Sequence, residues 1–163
     1  MQDKKFIFGI IFATIGLLVG AVVLASKMEE PSVQANQNAS VSVNEISYDW
    51  GEIGLNDGNV EKEFEIKNDG SEKLILTNVT TSCMCTTAQL SLGDQVSPVF
   101  GMHTKSDYKL EIPSGEVATL NVIFDPAFHG PSGVGPINRQ IQVATNDSEN
   151  QVLNFILTAV VRS

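Results

Sequence analysis

Two patterns of apolar and polar residues divide this chain. Residues 6–25 read FIFGIIFATIGLLVGAVVLA and include no charged residue. About 20 apolar residues are enough for a helix to cross the hydrocarbon core of a bilayer, whereas a helix at the surface of a soluble protein has a polar face. We therefore predict one N-terminal transmembrane helix and assign residues 1–27 to a membrane anchor.

The charges that flank this segment predict its orientation. Lys4 and Lys5 precede it, whereas Glu29 and Glu30 follow it. Because basic residues stay on the cytoplasmic side, the N-terminus is expected in the cytoplasm and the rest of the chain outside. A signal peptide cleaved near Ala25 is the alternative, although the apolar region of a signal usually has about 7 to 15 residues. In both cases the remaining chain is extracytoplasmic.

The rest of the chain has the two-residue period of β-strands. Residues 28–39 lack apolar periodicity and are predicted as a flexible linker. Beyond them, apolar residues such as Phe64 and Ile66 alternate with charged ones, and turn-forming residues separate the segments. About seven strands over about 120 residues are typical of an immunoglobulin-like (Ig-like) sandwich. We predict an all-β, antiparallel Ig-like sandwich over residues 40–163, with Tyr48 and Trp50 in its core.

The charge of the chain excludes one class of partner. The formal net charge is −9, and the part after Lys27 is more acidic because three of the 10 basic residues precede it. Such a domain repels phosphate groups, so we expect no binding to nucleic acid and contact with the membrane only through the N-terminal helix. The sequence also contains no nucleophile elbow and no phosphate-binding glycine loop, so an enzyme is not expected.

Cys83 and Cys85 are the strongest candidates for chemistry. In an extended backbone, side chains two residues apart lie on one face, so both thiolates could bind one soft ion. Cu(I) suits such ligands, and His129 is expected on a loop at the same end of the sandwich as a third metal ligand. Other available donors are Met84, Met102 and His103.

Two further interpretations of the cysteine pair remain open. A disulfide would need a local turn, because the β-carbons of an extended i, i+2 pair lie farther apart than the roughly 3.8 Å that a disulfide requires. Inert thiols are the other interpretation. A thiol oxidoreductase would require a cationic neighbour that activates one thiol, and no Lys, Arg or His adjoins the pair in the sequence.

Six short motifs follow one another along the domain. They are Tyr48-Asp49-Trp50-Gly51-Glu52-Ile53, Phe64-x-x-x-Asn68-x-Gly70, Thr81-Ser82-Cys83-Met84-Cys85-Thr86-Thr87, Pro113-x-Gly115-Glu116, Val122-x-Phe124-Asp125 and Thr145-Asn146-Asp147. In this order they resemble a family of uncharacterised exported bacterial domains whose hallmark is Ser-Cys-x-Cys-Thr. The resemblance implies an Ig-like fold shared with cilium- and centrosome-associated (HYDIN and ASH) domains and an exported location, but no activity. Two insertions, residues 93–107 and 128–136, depart from the family pattern.

A shorter stretch is similar to the copper chaperone of cytochrome oxidase assembly. That protein is also a single-anchor, exported Ig-like domain, with a Cys-x-Cys pair followed by Pro-Gly-Glu and a Val-x-Phe strand. The similarity implies Cu(I) binding by Cys83 and Cys85.

Together these observations predict a non-enzymatic module, anchored in the cell membrane, that binds or scaffolds a protein partner in the cell envelope. A Cu(I) metallochaperone that uses the Cys-x-Cys pair is the alternative function. A thiol oxidoreductase is the third.

Overall fold

The strands form where the sequence alternates between apolar and polar residues. A computed structural model describes residues 33–163 together with Phe8, Ile10, Ile11 and residues 14–18. In the strand Val60–Asn68, Phe64 and Ile66 are buried while the glutamates between them are exposed. This alternation places one face of the strand against the core and the other in water.

Ten strands lie within residues 33–163. They are β1 (Val41–Val43), β2 (Ser47–Gly54), β3 (Val60–Asn68), β4 (Leu74–Thr81), β5 (Thr86–Leu92), β6 (Gln95–Val96), β7 (Leu110–Ile112), β8 (Val117–Phe124), β9 (Gly135–Thr145) and β10 (Val152–Arg162). A 3-10 helix, Gly130–Gly133, precedes β9. Strands β1, β6 and β7 have only two or three residues, so seven of the ten strands are longer than three residues.

The strands form two sheets of five. One has the order β1-β3-β8-β5-β6 and the other β2-β10-β9-β4-β7. The prediction of an all-β architecture is confirmed. The prediction that all pairs are antiparallel was wrong for one pair, because β2 runs parallel to β10. Both strands run towards the same end of the sheet, and the chain between them crosses to the other sheet and back.

The two sheets pack face to face. The rings of Phe64 and Phe155, one from each sheet, lie 4.8 Å apart in the main core. A smaller apolar cluster of Cys85, Phe124 and Val161 closes one end of the sandwich, and Trp50 packs on it. Tyr48 is 37% exposed, so its predicted place in the core was wrong. The physical reason is that β2 is an edge strand, which the opposite sheet covers only in part.

Residues ahead of β1 bind the sandwich. The Asn36 N–H donates to the Asn146 carbonyl at 2.7 Å, and Ala39 is 2% exposed. A β-carbon on Gly70 would lie 2.3 Å from the Asn38 carbonyl oxygen, so only glycine lets this segment pass so closely. Residues 33–163 thus form one compact unit.

The predicted N-terminal anchor falls largely outside the described residues. Those that are described there are helical and exposed. Within the described part of the chain, no helix has the length and apolar character that crossing a membrane requires.

Candidate functional site

The asparagine of the Phe-x-x-x-Asn-x-Gly motif stabilises the fold. Asn68 is fully buried. Its side-chain amide donates to the carbonyls of Glu72 and Ile112, at 2.8 Å each, and its side-chain oxygen accepts from the Gly70 N–H at 2.9 Å. This one side chain therefore joins the turn after β3 to β7 in the opposite sheet.

The Thr-Asn-Asp motif has a similar structural role. Asn146 accepts from the Ile75 N–H at 2.8 Å, and the Asp147 carboxylate accepts from the N–H groups of Val41 and Glu149 at 2.9 and 2.8 Å. Burial raises the pKa of the Asp147 carboxyl, but the hydrogen bonds that it accepts outweigh burial and hold the pKa below its usual value. The polar side chains of these two motifs are occupied by hydrogen bonds that stabilise the fold. We therefore look for a functional site at the Cys-Met-Cys motif, whose thiol groups are chemically reactive.

Cys83 and Cys85 form a disulfide in the segment between β4 and β5. The backbone is not extended here, because residues 82–85 form a bend and a turn. The turn brings the two α-carbons to 5.3 Å and so allows the sulfurs to bond. The sequence left a metal site, a disulfide and inert thiols open, and the structure contains the disulfide.

Hydrogen bonds from both flanks hold this turn. The Thr81 hydroxyl lies 3.0 Å from the Cys83 carbonyl oxygen and 2.9 Å from that of Thr86. The Cys85 carbonyl accepts from the Asp125 N–H at 2.9 Å, which ties the turn to the loop between β8 and β9. The site is therefore positioned by the framework on which it sits.

His129 lies on that loop, at the same end of the sandwich as the cysteines. Its Nε2 atom is 3.6 Å from the Cys83 sulfur, and the edge of its ring faces Phe128 at 5.0 Å between centroids. The ligand atoms of Cys83, Cys85 and His129 all lie within 4.8 Å of one another. The three residues that the sequence proposed as a metal site are thus brought together.

His103 is not part of this cluster within the described residues, and the two methionines proposed as donors are exposed. Met84 is in the turn itself, but 59% of it is exposed. Met102 and His103 are exposed in the segment between β6 and β7. That segment turns back along β5, where Phe100 pairs with Ala88.

Sequence reasoning missed Arg139. This residue of β9 donates from Nε to the Cys85 sulfur at 3.2 Å, and its guanidinium lies over the Phe124 ring at 5.3 Å. Burial lowers the pKa of Arg139 from its usual value. No cationic residue is next to the cysteines in the sequence, but Arg139 lies beside Cys85 in the folded protein. Arg139 is 54 residues from Cys85, so only the position of β9 beside β4 could have revealed it.

The two sulfurs have different environments. Cys83 is half-buried beside the exposed His129, whereas Cys85 is 3% exposed and belongs to the apolar cluster with Phe124. Cys83 is therefore the more exposed of the two cysteines, and the Cys85 sulfur has a cationic hydrogen-bond donor in a desolvated setting. This arrangement can bind a soft metal ion when reduced or react with a thiol when oxidised.

The comparisons with known proteins agree with this class of fold. The model of a family described as "Protein of unknown function (DUF1573)" matches residues 41–98, a range that contains the Cys-Met-Cys turn. This confirms the resemblance drawn from the motifs. No curated protein matches the sequence significantly.

Two solved structures have the same architecture. One is a protein of unknown function from Porphyromonas gingivalis W83, with 22% identity, a TM-score of 0.59, and coverage of 80% of this chain and 50% of that one. This chain thus spans half the length of the Porphyromonas protein. The other is PapD-like domain 7 of human CEP192, an ASH / PapD-like domain, with 14% identity, a TM-score of 0.50, and coverage of 83% and 94%. Both likenesses concern the fold alone, which is an Ig-like β-sandwich of the kind that a PapD-like domain also has.

Proposed function

We propose that this protein is a non-enzymatic binding or scaffold module, anchored in the cell membrane by residues 1–27, whose sandwich meets a protein partner outside the cytoplasm. The anchor and the location rest on the apolar segment and its flanking charges. We expect the partner to bind at the loops at the end of the sandwich that carries the disulfide.

The sheet edges in residues 33–163 are poor places to add a partner strand. The edge strands β1, β6 and β7 have three, two and three residues. The fourth edge strand, β2, is longer, but Gly51 has φ +70° and its register against β10 shifts between Thr158 and Val160. Short and bulged edges oppose strand addition, so the partner is expected at loops.

The observation that carries the proposal is a set of exposed apolar side chains on the two loops that meet at the disulfide. Met84 is 59% exposed, Phe128 46% and Val134 43%. The Thr81 hydroxyl holds the cysteine turn, and the bond from the Asp125 N–H to the Cys85 carbonyl joins the second loop to that turn. Exposed apolar side chains on rigid loops are typical of protein-binding surfaces.

Site-specific photocrosslinking in the cells that produce the protein tests this proposal. A crosslinker at position 128 should give one discrete protein adduct, and the exchange Met84→Ser should weaken it. The matched control is a crosslinker at Val117, which is 43% exposed at the end of β8 opposite Phe124. The same adducts from both positions, or no adduct from position 128 in the folded protein, would contradict the proposal.

Cu(I) binding is the second candidate function, favoured by the cluster of three donor atoms within 4.8 Å. Reduction of the disulfide would supply two thiolates, and with the His129 imidazole they form a ligand set that suits a soft ion. His129 is exposed and Cys83 half-buried, so a partner protein could approach an ion held there. A carrier of Cu(I) would need such access for transfer.

An anaerobic Cu(I) titration of the reduced protein against a competing chelator tests this function. We expect binding of one ion per chain, lost in the Cys83→Ser, Cys85→Ser double variant and weakened in His129→Ala. His103→Ala is the matched control, because His103 is outside the cluster. Equally weak binding by all variants would exclude a copper site.

A further inference from the structure

The contacts of the two sulfurs differ in a way that matters for thiol chemistry. The Cys83 sulfur accepts from the Cys85 N–H at 3.2 Å and lies 3.6 Å from Nε2 of the exposed His129. The Cys85 sulfur contacts the Arg139 guanidinium at 3.2 Å and the Thr86 hydroxyl at 3.7 Å. An attacking thiol can therefore reach Cys83, while the surroundings of Cys85 favour a negative charge.

Arg139 is held in place to stabilise a thiolate. Its guanidinium is fixed between the Cys85 sulfur and the face of the Phe124 ring, and it cannot lose its proton at physiological pH. A charge-assisted hydrogen bond from a guanidinium is stronger for a thiolate than for a disulfide sulfur. A sulfur that leaves as a stabilised thiolate leaves faster.

From this asymmetry we propose that the Cys83–Cys85 disulfide exchanges with a dithiol of a second protein, with Cys83 as the attacked sulfur and Cys85 as the leaving group. A partner thiolate bonds to the Cys83 sulfur, the Cys83–Cys85 bond breaks, and its electron pair remains on Cys85 beside Arg139. The second partner thiol loses its proton to solvent and attacks the first partner sulfur, which releases Cys83. Both cysteines end as thiols once protonated, and the partner dithiol ends as a disulfide, with two electrons transferred.

This inference goes beyond the proposed binding function, because it assigns a reaction to the site rather than a surface to a partner. The reaction is stoichiometric, with one partner dithiol oxidised per chain, and it needs no metal ion. It is therefore tested in the presence of a chelator, without the partner. The outcome is independent of whether the loops bind an envelope protein or the reduced cluster binds Cu(I).

The first test compares rates of reduction. The full-length oxidised protein, in mild detergent with a metal chelator, is mixed with dithiothreitol at neutral pH, and the free thiols are trapped by alkylation and counted by mass. Arg139→Met keeps a long apolar side chain but removes the charge, and should slow reduction about threefold to tenfold. The matched control is Arg162→Met, because Arg162 forms an exposed ion pair with Glu52, and its rate should equal that of the unchanged protein. Equal rates for all three proteins would overturn the role of Arg139.

A second test asks which sulfur is attacked and does not depend on whether the Arg139 variant folds. Cys85→Ser should form a mixed disulfide with glutathione when treated with glutathione disulfide. Cys83→Ser keeps only Cys85 and should react more slowly, by about tenfold or more, because Cys85 is buried. Mass spectrometry of the intact proteins gives both rates. Equal reaction of the two variants, or reduction of the natural disulfide only after the protein unfolds, would refute the exchange centre.

Discussion

Replacement of Thr81 by valine tests whether the threonine ahead of the cysteines is there to hold the turn. Thr81 is 5% exposed, and its hydroxyl lies within 3.0 Å of the carbonyl oxygens of Cys83 and Thr86. Valine has nearly the same shape but no donor. The substitution therefore removes hydrogen bonding at the turn and changes little else in the core.

The expected loss follows from the number of bonds that one hydroxyl can make. A threonine hydroxyl has a single proton, so the two contacts share one donor rather than counting as two bonds. The Cys83 carbonyl also accepts from the Thr86 N–H at 3.2 Å and keeps that partner. The cost is then one hydrogen bond and a partly unsatisfied Thr86 carbonyl, about 1 to 2 kcal/mol in the free energy of unfolding.

Equilibrium unfolding of the fragment 28–163 in urea measures this loss. The protein has one tryptophan, and Trp50 is stacked on Phe124 at 6.0 Å beside the site, so its fluorescence reports unfolding there. The control is Thr119→Val, since within residues 33–163 the Thr119 hydroxyl has no side-chain hydrogen bond. A loss for Thr81→Val below about 0.5 kcal/mol, or equal to that of the control, would refute the reasoning.

Two further predictions concern the structural motifs. The pKa of Asp147 is lowered in the folded protein, so its stabilisation is complete above the usual pKa of an aspartate, about 3.9, and is lost as the pH falls through the lower folded value. Urea unfolding between pH 6 and pH 3 should therefore show a smaller decline in the free energy of unfolding for Asp147→Asn than for the unchanged protein. Equal declines would contradict this. Gly70→Ala should lower the free energy of unfolding by about 1 to 3 kcal/mol, because the new methyl group meets backbone atoms of Asn38 and Ser40. Gly101→Ala is its control, since a β-carbon there has only an ordinary contact, 3.7 Å from the Thr104 hydroxyl oxygen, and φ is not in the left-handed region at either glycine. A smaller loss at Gly70 than at Gly101 would show that residues 36–40 do not pack as described.

Much of the fold could be predicted because the information is local. The alternation of Phe64 and Ile66 with charged residues indicates both the strand and its buried face, and the turn residues mark where strands end. The parallel pairing of β2 with β10 could not be predicted in this way. Both strands have the same period whatever their neighbour, and the choice of neighbour depends on how the whole chain packs.

The candidate site was predictable to the extent that its residues are close in sequence. Cys83 and Cys85 are conspicuous in the sequence, and His129 was expected on a loop at their end of the sandwich. The turn that joins the two sulfurs was not predictable from alternation, because it depends on the Thr81 hydroxyl and on the Asp125 N–H of another loop. The alternation of apolar and polar side chains predicts a strand, but it does not predict the conformation of the turn that follows the strand.

The sequence by itself thus determined an all-β domain, an apolar N-terminal segment and a cysteine pair that is the candidate for chemistry. Only the tertiary structure decided which sulfur is buried, and that Arg139 is the cation beside it. The physical reason is one of range. Periodicity and turn propensity act between neighbouring residues, whereas the contact of Arg139 with Cys85 joins residues 54 apart, and exists because β9 pairs with β4 across the sheet.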